Sequence, residues 1–320
     1  MKRYKKSIKI TIGVYIKMKD KFIGVFPAFY ACYDDNGNVD EKRCEALCEY
    51  FIKKGVKGLY VGGSSGECIY QTLEDRKKTL EAVMRVAKGK ITIIAHVACN
   101  NTNESMELAK HADSLGVDAI ASIPPIYFHL PEYAIASYWN DISSAAPNTP
   151  FIIYNIPQLA GVSLTTSLFK EMLKNKNVIG VKNSSMPTQD IETFKMYGGK
   201  DFVVFNGPDE QLVSGLAMGA DGCIGGTYGA MVELYLKIFD LCKHNKYDEA
   251  LPIQYACTDI IYKMCSAKGN MYAVIKEILK RREGIECGGV RKPLYSLTKE
   301  DSKIIDESIK MIEDAIAKYC

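Results

Sequence analysis

One lysine, Lys182, lies inside an otherwise apolar run that has the residue types of a buried β-strand, Val178–Ser184. Alternation along a strand predicts that its side chain lies on the face opposite Ile179 and Val181. A lysine that loses hydration has a lowered pKa, so its neutral amine becomes available as a nucleophile. The alternative is a lysine that ends the strand and extends its ammonium group into solvent, which is the commoner case for an isolated lysine.

Hydroxyl groups follow another apolar run. The segment Gly62–Glu67 reads Gly-Gly-Ser-Ser-Gly-Glu, so backbone amides and the hydroxyls of Ser64 and Ser65 lie together where a strand is expected to end. Such a segment is suited to bind a carboxylate, because amides and hydroxyls donate hydrogen bonds to an anion and glycine permits close approach. The alternative is an ordinary glycine-rich turn.

Three further side chains fit the same chemistry, and each has a structural alternative. Tyr154 is suited to relay a proton to and from a substrate, although most tyrosines are core residues whose hydroxyl is already hydrogen-bonded. Asp209 and Glu210 follow Gly207 and are suited to accept hydrogen bonds from substrate hydroxyls. The same two acids, at the start of a helix, would instead complement its dipole.

Eight short apolar runs alternate with amphipathic stretches, a pattern that predicts parallel strands joined by helices. The strand runs are Phe22–Phe29, Gly58–Gly63, Ile91–Ala98, Ala119–Pro124, Phe151–Pro157, Val178–Ser184, Phe202–Gly207 and Gly222–Tyr228. Eight repeats favour closure into a (β/α)8 TIM barrel, whose active site lies at the C-terminal ends of the strands. The polar residues described above would then converge on one mouth.

After Tyr228 only helical patterns remain, namely 230–243, 247–266, 271–282 and 299–318. They predict the eighth barrel helix followed by a C-terminal appendage of three helices packed on the barrel. Residues 1–17, with six basic side chains and no acid, are interpreted as an extension outside the fold; the alternatives are a signal peptide and a membrane-surface helix. The predicted division is therefore 1–17, a barrel at 18–245, and an appendage at 246–320.

Charge and composition exclude several classes of function. The net charge of +3 combines six basic residues in 1–17 with a slight acidic excess in the rest of the chain, which has 35 basic residues against 38 acids. This balance does not indicate binding to nucleic acid. No apolar run approaches the roughly 20 residues that cross a bilayer. The eleven cysteines contain no CxxC pair and the four histidines do not cluster, so we expect no metal site and reduced thiols, as in a cytoplasmic protein.

Several motifs occur together in an order that is specific to one family. They are Gly62-Gly-Ser-Ser-Gly-Glu67, Tyr154-Asn-Ile-Pro157, Gly180-Val-Lys182, Ala220-Asp-Gly-Cys-Ile-Gly225 and Arg291-Lys-Pro293. Over roughly residues 22–295 the chain resembles the N-acetylneuraminate lyase and dihydrodipicolinate synthase superfamily.

This resemblance implies a class I aldolase. Lys182 would form a Schiff base with the ketone of pyruvate, and Tyr154 would donate and accept the proton, with Ser65 in its relay. Ser64 and Ser65 would hold the pyruvate carboxylate. Tyr127 would match a tyrosine that family members lend to a neighbouring subunit's site, which implies a homotetramer built as a dimer of dimers. No metal or dissociable cofactor would be required.

Within the superfamily, the residues after Tyr154-Asn-Ile-Pro distinguish two subgroups. The synthases carry an arginine shortly afterwards, whereas this chain reads Gln158-Leu-Ala-Gly161 and resembles the sialic acid lyases. Gly207, Asp209 and Glu210 resemble the lyase segment that binds the sugar chain, and Ser184 keeps a hydroxyl two residues after the lysine.

Two positions depart from the lyase pattern. The lyases usually have Gly-Ser-Thr-Tyr on the eighth strand, whereas this chain has Gly225-Gly-Thr-Tyr228, so Gly226 removes a hydroxyl expected to touch the sugar. Met271 stands where the lyase pocket has an aromatic residue. Both changes concern the sugar and leave the Schiff-base chemistry intact.

The resemblance thus implies reversible cleavage of N-acetylneuraminate to N-acetylmannosamine and pyruvate. The alternatives are a pyruvate-dependent aldolase for another 2-keto acid, such as a keto-deoxy sugar acid, and dihydrodipicolinate synthase. A third alternative, from a different functional class, is a catalytically silent paralogue that binds a keto acid.

Overall fold

Eight parallel strands follow one another around a nearly closed barrel. The structure, a computed structural model, describes residues 19–320. The strands are β1 (Val25–Pro27), β2 (Gly58–Val61), β3 (Thr92–His96), β4 (Ala119–Ser122), β5 (Phe151–Asn155), β6 (Val178–Asn183), β7 (Val203–Asn206) and β8 (Gly222–Gly225). Each strand lies inside one of the eight apolar runs and is shorter than that run, because the ends of the runs leave the sheet as loops.

The barrel closes between its first two strands. Pairing is parallel throughout, in the order β1-β8-β7-β6-β5-β4-β3-β2. A parallel bridge joins Ala28 to Tyr60. The amide of Phe29 donates to the carbonyl of Tyr60 at 2.8 Å, and the amide of Lys57 donates to that of Val25 at 3.0 Å. The predicted (β/α)8 TIM barrel is therefore confirmed.

Helices follow the strands where the sequence pattern placed them. They are α1 (Glu41–Lys53), α2 (Leu73–Ala87), α3 (Thr102–Leu115), α4 (Glu132–Ala145), α5 (Pro157–Ala160), α6 (Thr166–Met172), α7 (Gln189–Gly198), α8 (Leu212–Ala217), α9 (Val232–Lys243), α10 (Tyr247–Cys265), α11 (Met271–Glu283) and α12 (Asp301–Tyr319). The short α5 was not expected. Thr72 caps α2 in a reciprocal pair with Asp75.

Two apolar clusters account for the nearly continuous apolar character of the strands. One fills the barrel interior and includes Phe26, Ile94 and Phe205. The other lies between the outer face of the strands and the helices. Because both faces of each strand are buried, alternation of apolar and polar residues is absent from the sequence.

The prediction that the side chain of Lys182 lies on the face of β6 opposite both Ile179 and Val181 was partly wrong. Val181 lies in the outer cluster, on the face opposite Lys182, as expected. Ile179, however, packs against the inner cluster, on the same side of the sheet as Lys182.

A bulge in β6 explains this difference. Phe151 pairs with Val178, whereas the next residue, Ile152, pairs with Gly180, so Ile179 is one extra residue in the ladder. An extra residue shifts the alternation by one position, and the side chains before and after it no longer follow a simple period of two.

The three helices after the barrel, α10 to α12, pack on it rather than forming a separate body. Residues of α10 and α11 line the same cavity as the strand ends. The predicted boundary near residue 246 coincides with the start of α10, yet the appendage contributes directly to the mouth of the barrel. The expectation for residues 1–17 lies outside the described residues.

Within residues 19–320, no helix is long and apolar enough to cross a membrane. In the same range each of the eleven cysteines is a free thiol.

The appendage depends on a buried carboxylate at the start of α12. Asp301 is fully buried and accepts hydrogen bonds from the amides of Lys268 and Thr298, each at 2.7 Å, and of Gly269 at 3.1 Å. We predict that Asp301→Ala lowers the free energy of unfolding by about 2–4 kcal/mol, because it leaves buried donors without an acceptor. Urea unfolding monitored by circular dichroism measures this loss.

The control is Asp306→Ala on the same helix, which removes an exposed ion pair with Arg281. It should change stability by less than about 1 kcal/mol. Equal effects of the two substitutions would contradict the assignment of Asp301 as an anchor.

Candidate active site

A cavity of about 410 Å³ opens at the carboxyl ends of the strands. Nine of the ten residues that the sequence singled out line it. They are Ser64, Ser65, Tyr154, Lys182, Ser184, Gly207, Asp209, Glu210 and Gly226. The loops after β2, β6, β7 and β8 and the end of β5 bring these residues together, as expected for a barrel of this type.

Lys182 lies on β6 with its side chain inside the barrel, 5% exposed. Its Nζ lies 3.9 Å from the ring centroid of Tyr154 and 4.3 Å from that of Tyr60. Burial lowers the pKa of Lys182 to about 7, against the opposing effect of the Asp209 carboxylate. A large fraction of the amine is therefore neutral near neutral pH, which a solvent-exposed lysine would not be.

Tyr154 is buried beside the amine and keeps its proton. Burial raises its pKa to about 12, while hydrogen bonding to the hydroxyls of Ser184 and Ser64 acts in the opposite direction. The phenol is thus a proton donor in the resting site, and its hydroxyl neighbours can relay a proton.

The resemblance implied that Ser65 belongs to this relay, and the two serine hydroxyls lower the pKa of different tyrosines. Ser64 is the one that interacts with Tyr154. The hydroxyl of Ser65 interacts instead with Tyr272 of α11. The side chains of consecutive residues in a tight turn point in different directions. The sequence alone therefore could not show which serine hydroxyl interacts with which tyrosine.

The serines lie on a single 3-10 turn, Ser64–Gly66, that directly follows β2. Gly62 has φ of +76° and leads into this turn. A Cβ at Gly63 would lie 2.7 Å from the ring of Tyr60, so the backbone at this point packs directly on an aromatic residue of the site. The turn presents both hydroxyls to the cavity next to Lys182, where a carboxylate adjacent to a ketone would lie.

Asp209 connects the ends of β7 and β8. One oxygen, Oδ2, accepts from the amide of Thr227 at 2.7 Å and from its hydroxyl at 2.6 Å. Burial raises the pKa of Asp209 to about 6, although the bonds from Thr227 oppose that rise. Glu210, the next residue, is exposed at the mouth. Asp209 therefore has a structural role in addition to the sugar-binding role expected from the sequence.

Because Gly226 has no side chain, a space remains in the cavity beside the side chains of Ser65 and Tyr272. A Cβ at this position would lie 3.2 Å from Oγ of Ser65 and 3.9 Å from the hydroxyl of Tyr272. The sequence indicated Met271 as the replacement of an aromatic pocket residue. Met271 does line the cavity, but its neighbour Tyr272 supplies an aromatic ring there. Sequence reasoning missed Tyr272, because nothing in its position on an amphipathic helix distinguishes it from a packing residue.

An apolar rim surrounds the polar centre, and apart from Met271 its residues were also missed. Leu159 and Met186 are about two-thirds exposed, at 65% and 66%. Ile261, Cys265 and Met271 line the opposite, helical side of the cavity. Nothing in their spacing distinguishes such residues from ordinary helix and loop positions.

Tyr127, the tenth residue, does not line this cavity. It lies in the loop after β4, is 85% exposed, and has a positive φ of 82°. Its ring packs edge-on against Phe128, which is 71% exposed.

Within residues 19–320, no cluster of histidine, cysteine and acidic side chains is arranged to hold a metal ion.

The chain is similar to known proteins in family, sequence and structure. The model of the dihydrodipicolinate synthetase family matches residues 21–312. The N-acetylneuraminate lyase of Mediterraneibacter gnavus is 66% identical over 300 residues, which is 94% of this chain and 95% of that protein. The N-acetylneuraminate lyase of Fusobacterium nucleatum is 35% identical over 285 residues, covering 89% and 97% of the two chains.

Solved structures agree with these matches. The wild-type sialic acid aldolase of Ruminococcus gnavus superposes with a TM-score of 0.93 at 66% identity, covering 94% of this chain and 100% of that chain. The N-acetylneuraminate lyase of Fusobacterium nucleatum superposes with a TM-score of 0.82 at 33% identity, covering 93% and 99%. The chain therefore belongs to the dihydrodipicolinate synthetase family.

Proposed function

We propose that this protein is a class I aldolase that reversibly cleaves N-acetylneuraminate to N-acetylmannosamine and pyruvate through an imine on Lys182. The observation that carries the chemistry is a buried amine with a pKa of about 7 beside a protonated tyrosine. The choice of N-acetylneuraminate is supported by the similarity to proteins named N-acetylneuraminate lyase and sialic acid aldolase.

The reaction begins with attack of the neutral Lys182 amine on the substrate ketone. The carbinolamine loses water when Tyr154 donates its proton to the departing hydroxyl, which leaves a protonated imine and a phenolate. The substrate carboxylate is held by the hydroxyls of Ser64 and Ser65, next to the carbon that is attacked.

Carbon–carbon cleavage then uses the imine as an electron sink. The Tyr154 phenolate accepts the proton of the substrate hydroxyl on the carbon that becomes the aldehyde, and the electrons of the breaking bond flow toward the imine nitrogen. Tyr154, protonated by that step, donates its proton to the enamine carbon. Its phenolate then accepts a proton from the water that hydrolyses the pyruvate imine, which restores both Lys182 and Tyr154. Because each electron and proton is accommodated by these groups, no dissociable cofactor is required.

The sugar chain would lie between polar and apolar walls. Asp209, Glu210 and the backbone at Gly207 are placed to accept or donate hydrogen bonds, and Ser184 lies close to Tyr154. Gly226 favours a second candidate, an aldolase for another keto-deoxy sugar acid, since it lacks the serine hydroxyl of the lyase pattern. Dihydrodipicolinate synthase is disfavoured because Gln158 and Leu159, rather than an arginine, line the cavity.

The proposed assembly is a homotetramer, a dimer of dimers in which Tyr127 enters the site of a neighbouring subunit. Its support is the exposed aromatic pair of Tyr127 and Phe128, since large exposed aromatic groups are enriched at subunit interfaces. The eleven free thiols support a reducing, cytoplasmic location.

Reductive trapping tests the imine. Incubation with pyruvate and borohydride should add the mass of a reduced pyruvyl group to Lys182, detected by peptide mass spectrometry. Lys182→Ala should abolish the adduct and turnover while the far-ultraviolet circular dichroism spectrum stays unchanged. No adduct on the wild-type chain would exclude every aldolase proposal and leave the keto-acid-binding paralogue.

The rate of imine formation should depend on pH through Lys182. Only the neutral amine attacks, so the rate should rise as pH increases through about 7, the pKa of this lysine. Asp209→Asn removes a charge that raises this pKa, and should move the midpoint to lower pH. Stopped-flow trapping with pyruvate measures both midpoints.

The matched control is Glu210→Gln, which removes the adjacent exposed carboxylate and should leave the midpoint unchanged. A wild-type midpoint near 10 would show that the amine is solvated and would contradict the proposed nucleophile.

Pyruvate release, followed with a lactate dehydrogenase coupling assay, tests the substrate. N-acetylneuraminate should give a higher kcat/KM than a panel of keto-deoxy sugar acids that lack the N-acetyl group. Condensation of pyruvate with aspartate semialdehyde should not be detected. Preference for another keto acid in the panel would replace the substrate but retain the imine chemistry.

A further inference from the structure

A fully buried ion pair joins the barrel to the appendage directly behind the serine turn. Nζ of Lys276, on α11, lies 2.7 Å from Oε1 of Glu67, and the two side chains are 2% and 0% exposed. An ion pair removed from water is stable only when its remaining polar atoms are also satisfied, and removal of one partner leaves an uncompensated charge.

Both partners meet this requirement. Oε2 of Glu67 accepts from the amide of Arg291 at 2.8 Å. Nζ of Lys276 donates a second hydrogen bond to the carbonyl of Gly289 at 2.7 Å. It also lies 4.9 Å from the ring centroid of Tyr33. The carboxylate therefore connects the barrel both to α11 and to the segment that follows it.

The backbone of Glu67 adopts a conformation in which residues other than glycine are uncommon. Glu67 ends the serine turn in the left-handed region, with φ of 54° and ψ of 32°. A residue with a side chain is disfavoured there relative to glycine. The amide of Glu67 donates to the carbonyl of Ser64 at 2.9 Å, so its conformation and that of the turn are coupled.

A second contact lies beside the ion pair on the same face of α11. Tyr272 and Lys276 are four residues apart, so their side chains are neighbours on the helix surface. Tyr272 interacts with the hydroxyl of Ser65, and Lys276 with the carboxylate of Glu67. Two contacts thus connect one helix face to the middle of the turn, at Ser65, and to its end, at Glu67.

We propose that Glu67 and Lys276 are a positioning pair that holds the serine turn and Tyr272 in the geometry that binds the substrate carboxylate. Neither side chain lines the cavity, and the pair acts through Ser64 and Ser65. This inference rests on the proposed role of those two serines in binding a 2-keto acid. The C-terminal appendage is thereby part of the carboxylate site, although the chemistry lies in the barrel.

The test compares three variants, Lys276→Met, Glu67→Gln and the double variant Glu67→Gln/Lys276→Met. The readout is the pyruvate concentration that gives half-maximal borohydride trapping at Lys182, together with the maximal extent of trapping and stability in urea. The double variant removes both buried charges, so it should be more stable than Lys276→Met.

The half-saturating pyruvate concentration should nevertheless rise about tenfold or more in the double variant, because misplaced binding groups weaken pyruvate binding. The extent of trapping at saturating pyruvate should stay near that of the wild type, because the nucleophile is unchanged. Glu67→Gln keeps one acceptor oxygen, for either Lys276 or the amide of Arg291, so it loses only part of the connection and should show a smaller rise. The control Lys263→Met, which breaks the Lys263–Glu307 pair inside the appendage, should leave the half-saturating concentration unchanged.

A wild-type half-saturating concentration in the double variant, despite the lost ion pair, would overturn the positioning role and leave a purely structural pair. If the double variant does not fold, the same comparison with Glu67→Gln decides the question. Failure of the wild-type chain to form any adduct would instead overturn the proposed aldolase function, so the two failures are distinguishable.

Discussion

The loss of water around the amine of Lys182 is the physical effect on which the rest of the site depends. Polar side chains at the other strand ends are useful for this chemistry only if the amine can be neutral near pH 7. The barrel provides that condition, because β6 directs the side chain into an interior closed by apolar residues and by the rings of Tyr60 and Tyr154. The carboxylate of Asp209 opposes the effect of burial, and the resulting pKa of about 7 reflects both.

The same interior explains why the groups around the amine keep different protonation states. Burial raises the pKa of Tyr154 and of Asp209 while it lowers that of Lys182, because each is displaced toward its uncharged form. In the proposed reaction a neutral nucleophile and a protonated donor are both needed at the start. One desolvated cavity supplies both.

The sequence predicted those parts of the molecule that depend on local pattern. The strands and the helices of the barrel follow from apolar runs, and Lys182 stood out because a lysine is unusual inside such a run. The bulge at Ile179 was not predictable, because it arises from the register between β5 and β6 rather than from either strand. The different directions of Ser64 and Ser65 depend on the backbone of a single turn.

Contacts between distant parts of the chain were the main gap. Tyr272 and Lys276 lie on an ordinary amphipathic helix more than 200 residues after the serine turn, and their spacing fits packing as well as function. Only the position of α11 across the barrel mouth shows that they face Ser65 and Glu67. The appendage predicted from helical pattern alone is therefore also a wall of the active site.

The most direct measurement of the central claim is the pKa of the Lys182 amine itself. Reductive methylation with labelled formaldehyde gives each lysine a carbon-13 resonance that titrates with pH, and Lys182→Ala assigns the one that belongs to this site. A resonance that titrates near 7 and disappears in that variant is the predicted result. Titration of Lys182 near 10, with the other lysines, would contradict a desolvated nucleophile.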